Sequence, residues 1–180
     1  HMKKLVLALS ALTTFSLAAH AQTGPVLKGK DITESALINA LTPEEPEIRT
    51  RSFKRDPSAP PPAPAKPASA SLLITFETNS AELTNSAKHA LDKVGKALKS
   101  DKLSVFKFDI EGHADPRGGG ELNQQLSQAR AEAVREYLVQ SHQVPSERLK
   151  AIGKGSAELI NAKDLAAPEN RRVTIKTVME

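Results

Sequence analysis

Residues 57–67 read PSAPPPAPAKP, and no other stretch limits the fold so sharply. Proline fixes φ and lacks the backbone N–H, so this run suits neither a helix interior nor a central strand. It reads as extended, semi-rigid polyproline, part of a Pro/Ala-rich linker over 57–70. Ordered structure is thereby assigned to the two flanks. The longer, 71–180, has room for one domain; the shorter, 22–56, is an N-terminal arm offering one short helix at most.

In the longer flank the apolar period alternates between 2 and 3.6. SLLITF (71–76) is β-branched and apolar, a strand. LTNSAKHALDKVGKALKS carries Thr84 as a cap, with Ala87, Leu91, Val94 and Leu98 along one helical face. SVFKFDIEG sets Phe106, Phe108 and Ile110 against Lys107, Asp109 and Glu111, a half-buried strand. A second long helix over 121–140 is expected to bury Leu122, Leu126, Ala129, Ala133, Tyr137 and Leu138. RLKAIGKG and RRVTIKTVM supply the last two strands, with Val173 and Ile175 in phase. The order β-α-β-α-β-β predicts an α+β fold, a two-layer α/β sandwich with both helices on one face of the sheet. The polar sides of the second and last strands predict that the other face meets solvent. In the arm, Ile32, Ala36, Leu37 and Leu41 have helical spacing behind Asp31 or Thr33, ending before Pro43. Docking on the domain, recruitment of an envelope partner protein and a mobile arm all fit that pattern.

The chain start indicates export. His1 ahead of Met2 reads as a tag remnant. Met2, Lys3 and Lys4 form a basic region, Leu5–Ala18 an apolar one, and Ala19-His20-Ala21 a small-x-small cleavage site. Residues 1–21 are therefore expected to be removed, leaving Gln22 first. The apolar stretch falls short of the roughly 20 residues of a membrane span, so no direct transmembrane span is expected. The sequence contains no cysteine, which excludes a disulfide framework and the lipidated cysteine of a bacterial lipoprotein. The expected product is a soluble periplasmic protein that holds the envelope by binding. The formal charge of +4, about +2 without Lys3 and Lys4, is too small to imply nucleic acid or anionic lipid as a partner.

Chemistry concentrates in EGHADPRGGGELNQQLSQARAE (111–132). Glu111, His113 and Asp115 lie two apart, as metal ligands on a strand would. Gly112 and Pro116 break that alignment, and no second histidine completes a set, so no metal and no cofactor is expected. A buried or edge histidine bonded to backbone is the alternative for His113. Gly118-Gly119-Gly120 before a helix, and GKGS at 153–156, could present amides to a phosphate. Neither has P-loop spacing, and the glycines are expected to supply positive φ in a tight loop. On the helix, Asn123 and Arg130 lie two turns apart on one face, near Ser127. With Asp115 in the preceding loop, Arg130 could clamp a ligand carrying an ammonium and a carboxylate. Equally, Asp115 and Arg130 could pair with each other or with neighbours.

IEGHADPRG, LNQQLSQARAEAVREYL, RLKAIGKG and ENRRVTI resemble, in order and spacing, the OmpA-like C-terminal peptidoglycan-binding domain, from about Leu72 to Val178. The resemblance implies a mixed four-stranded sheet and non-catalytic binding of the diaminopimelate in the cell-wall stem peptide. It implies that Asp115 takes the ligand ammonium and Arg130 its carboxylate, with support from Asn79, Asn123 and Arg171. Ala114 departs from the threonine of many outer-membrane members. Residues 22–70 are too few for an eight-stranded membrane barrel of about 9–11 residues per strand. A cell-wall hydrolase would need an activated nucleophile or metal-bound water, and the sequence has no cysteine, no G-x-S-x-G and no paired histidines.

Overall fold

The computed structural model describes residues 26–44, 68–76 and 80–179. Asn79, the signal region and the proline run lie outside the described residues.

The chain order is β1 (Val26–Leu27), α1 (Glu34–Leu41), β2 (Ser69–Leu72), α2 (Asn85–Leu98), β3 (Lys107–Gly112), α3 (Gly120–His142), β4 (Leu149–Gly153) and β5 (Val173–Val178). These strands form one sheet in the order β1-β2-β5-β3-β4. β3 and β4 pair in parallel across α3, because a parallel pair needs a crossover. β5 returns between β2 and β3, antiparallel to both. The expected mixed sheet with helices on one face is present, widened to five strands by the two-residue β1 beside β2. The first domain strand begins earlier and stops sooner than SLLITF suggested, and Phe76 instead forms an isolated bridge with Leu83.

Register explains the core. Leu72, Val173 and Gly112 share a row, as do Ala70, Ile175 and Ile110. This face packs on Leu91, Val94 and Leu98 of α2 and on Ala131, Val134 and Leu138 of α3. Thr84 caps α2 by accepting from the Ala87 N–H. Gln143, left-handed at φ 54°, closes α3 while the Val144 N–H bonds the Leu138 carbonyl, a Schellman-type end. Asp92 on α2 accepts from Tyr137 Oη and meets His142 Nε2, both at 2.8 Å, pinning the helices together.

One open alternative is decided and two expectations are corrected. The arm is docked over 26–44: Ile32, Leu37 and Leu41 are buried, α1 lies on α2, and Thr177 Oγ1 donates to the Leu41 carbonyl. An eight-residue helix is marginal alone, and this apolar face is what holds it. The far side of the sheet is not open to solvent at β3 and β5, where Glu111, His113, Arg172 and Thr174 are buried. Glu158 from the loop after β4 reaches that side, its carbonyl accepting from Arg172 Nη1. The buried stripe of α3 is Asn123, Ser127, Ala131, Val134 and Leu138, whereas Leu122 is exposed and Leu126 half-buried. The first two of these are polar, and an apolar pattern cannot find them.

Candidate ligand-binding site

The site lies where β3 runs out towards α3. Beyond Gly112 the chain keeps ladder-like bonds: the His113 N–H donates to the Arg172 carbonyl and the Ala114 N–H to the Gly155 carbonyl. These fix Asp115, only 8% exposed, at the sheet end. Asn123 Nδ2 reaches back to the carbonyls of Asp115 and Gly118, at 2.9 and 3.3 Å. Ser127 Oγ accepts from the Gly155 N–H. The polar stripe of α3 thus ties two loops to the helix, satisfying backbone groups that burial would otherwise leave unpaired. Gly112 and Gly153, partners in the β3–β4 register, permit this close approach, because a Cβ at either would strike the backbone of Ser127 or Gln128. The glycine triplet does not supply positive φ; among the glycines of the described residues it occurs at Gly29 and Gly155 instead. Gly118 is small because the Asn123 amide lies against it.

Asp115 does not pair with Arg130. Its Oδ1 accepts from the Arg117 N–H and Nε, and its Oδ2 from Arg117 Nη2 at 2.8 Å and Arg171 Nη1 at 2.9 Å. The Arg117 guanidinium, then Arg171, hold this carboxyl well below the usual range despite opposing burial. Arg130 stands across the groove with Nε donating to the Ser80 carbonyl and its guanidinium 4.9 Å from the Phe76 ring centre. No carboxylate of the described residues lies within 4 Å of it. Burial, then the charge of Arg171, pushes its pKa down. Such a cation is short of a counter-charge.

Arg171 also donates to the Ala166 carbonyl, and its loop is organised by Asn170. Asn170 is fully buried; its Oδ1 accepts from the N–H groups of Ile160 and Asn161, and its Nδ2 donates to the carbonyls of Asn161, Asp164 and Leu165. Between Asp115 and Arg130 lies a groove of about 500 Å³, walled by Phe76, Arg117, Leu122, Asn123, Leu126 and Arg171. A smaller chamber of about 210 Å³ shares Phe76, Arg130 and Arg171 with it and extends to His113. Phe76, Arg117 and Asn170 were not singled out from the sequence. Only the ENRR context hinted at Asn170.

The suggested metal set is divided. Glu111 and His113 meet Glu158 rather than Asp115, with one ligand atom from each inside a 4.8 Å span. Lys176 at 2.7 Å and Lys154 at 3.3 Å already neutralise Glu111, and Lys154 also bonds Glu158 at 3.1 Å. A divalent ion would have to displace these cations. His113 is buried without backbone bonds to its ring, both nitrogens lacking a hydrogen-bond partner among the described residues. Burial first, then Arg172, Lys176 and Lys154, push its pKa down to about 3, so it is neutral.

A sequence model of the OmpA family matches residues 75–172. The chain belongs to the OmpA family. It is 36% identical over 102 residues to a peptidoglycan-associated lipoprotein of Pseudomonas aeruginosa, covering 56% of this chain and 59% of the relative. It is 40% identical over 82 residues to the protein of that name in Rhizobium meliloti, covering 46% and 45%. The match thus spans about half the length of these relatives. Among solved structures, the OmpA-like domain of FopA1 from Francisella tularensis superposes with a TM-score of 0.50 at 23% identity, covering 57% of this chain and 68% of that one. The periplasmic domain of Helicobacter pylori MotB gives 0.54 at 18%, covering 63% and 77%. These two likenesses establish the OmpA-like α+β fold.

Proposed function

We propose that this OmpA-family chain is a non-catalytic, periplasmic peptidoglycan-binding module that grips the diaminopimelate of the stem peptide. The side-chain end of that residue carries an ammonium and a carboxylate. Asp115 takes the first and Arg130 the second. The observation that carries this reading is Arg130: a half-buried guanidinium facing a groove, without a carboxylate among the described residues, across from an ionised aspartate. Arg171 braces Asp115, and Asn123 positions its loop. Phe76 and the Leu122–Leu126 side suit the aliphatic carbons between the ligand's charges. Asn79, outside the described residues, immediately precedes Ser80, whose carbonyl orients Arg130.

The names of the curated relatives support the polymer, and the groove supports the choice of residue within it. Binding rather than hydrolysis suits the described groups: His113 is neutral and buried, and Ser127 Oγ donates to the Gln124 carbonyl. An adaptor role through α1 gains no support, because its apolar face is buried against the domain. Co-sedimentation of the protein with purified sacculi, with and without free diaminopimelate, tests the reading. Pelleting that diaminopimelate reverses is expected.

A further inference from the structure

We propose that Arg117 gates this site: its side chain holds the place on Asp115 that the ligand's ammonium takes, and must swing away for the ligand to enter. The proposal rests on the clamp reading above.

A carboxylate offers about four acceptor positions, two on each oxygen. At Asp115 all four are filled. Oδ1 receives the Arg117 N–H and Nε; Oδ2 receives Arg117 Nη2 and Arg171 Nη1. An incoming ammonium therefore has to remove a donor. Arg171 is held from behind by the Ala166 carbonyl, and the Arg117 N–H belongs to the loop backbone. The Arg117 side chain differs from both. It is 59% exposed, and Asp115 is its sole hydrogen-bond partner among the described residues.

Release of that side chain frees one position on each oxygen, and an ammonium with three N–H donors can fill both. Asp164, whose negative charge already acts on Arg117, offers the displaced guanidinium a second resting place. Arg117 is solvent-facing and the ammonium replaces its bonds to the buried Asp115, so the exchange of one cation for another lowers affinity modestly. Its larger effect is on selection. A cation without N–H donors, such as a trimethylated amine, cannot restore the bonds that Arg117 gives up.

Calorimetric titration of free diaminopimelate into the parent, Arg117→Ala, Arg117→Lys and Asp115→Ala decides the matter. Arg117→Ala is expected to bind about twofold to fivefold tighter than the parent, with Arg117→Lys between them and Asp115→Ala not binding. In nitrogen NMR, the Arg117 Nε–H of the parent should lose its protection from solvent exchange as diaminopimelate saturates the site. Equal or weaker binding by Arg117→Ala, with Asp115→Ala inactive, overturns the gate and leaves the clamp standing. Parent-like binding by Asp115→Ala overturns both.

Discussion

Truncating Leu37 to alanine asks whether the N-terminal segment belongs to the fold. Leu37 is 0% exposed in α1, together with Leu41, and Ile32 is 1% exposed just ahead of the helix. Removing a buried leucine side chain down to Cβ costs about 2–5 kcal/mol, the spread reflecting how far the cavity collapses. α1 lies at the edge of the core against α2 and β2, where collapse is easier, so the lower half, about 2–3 kcal/mol, applies. At roughly 3–5 °C per kcal/mol for a domain of this size, the melting temperature should fall by about 10 °C. The transition should stay single, because the Leu41 carbonyl bonds Thr177 within central β5. Thr177 pairs with Phe108, four residues along β3 from the Gly112 end that leads to Asp115, so binding at low temperature should persist. Differential scanning calorimetry with a parallel binding assay measures both. A shift below about 1 °C, or a separate early transition, would refute an integral α1. The same reasoning predicts that deleting residues 22–70 disrupts the fold, because it removes Ile32, Leu37, Leu41 and Ala70 from the core.

Two further perturbations probe groups around the site. His113 is held near pKa 3 in the folded chain and returns to about 6.5 when unfolded, so below about 6.5 the unfolded state binds the extra proton. Its contribution is therefore complete above that pH and declines towards pH 3, by about 1.4 kcal/mol per unit. Urea unfolding from pH 7.5 to 5 should show this decline in the parent and a flatter profile in His113→Gln; identical slopes would refute it. Asn170→Ala strips partners from the Ile160 and Asn161 N–H groups, at about 1–3 kcal/mol for each group left buried and unpaired. It should also weaken diaminopimelate binding by loosening Arg171. A variant with unchanged melting temperature and affinity would contradict the hub.

Much of the scaffold was legible because its signals are local. Thr84 caps α2 as its spacing predicts, and the alternation of Phe108 and Ile110 marks the buried face of β3. Other features depend on contacts distant in sequence. Asn123 and Ser127 are buried because the 112–118 and 153–155 loops need their hydrogen bonds, so their polarity hid the true face of α3. Glu111 looked solvent-facing until Lys176 of β5 and Lys154, just past the end of β4, closed over it. At the site, Asp115 and Arg130 stood out by charge and position. The guanidinium that occupies Asp115 comes from Arg117, two residues away and within the same quoted motif. Sequence spacing showed it within reach of Asp115 but could not show where its side chain rests.

The most direct test of the clamp is co-sedimentation with sacculi of the parent, Asp115→Ala, Arg130→Ala and Arg130→Lys, with each melting temperature measured alongside. Removing either charge leaves a ligand charge unpaired, a loss of about 2–5 kcal/mol, or roughly 30-fold or more in affinity. Lysine at 130 should fail as well, lacking the planar fork that meets a carboxylate in two places. The account predicts a parent that pellets and is released by diaminopimelate, and three folded variants that stay in the supernatant. Folded Asp115→Ala and Arg130→Ala proteins that pellet like the parent would contradict it.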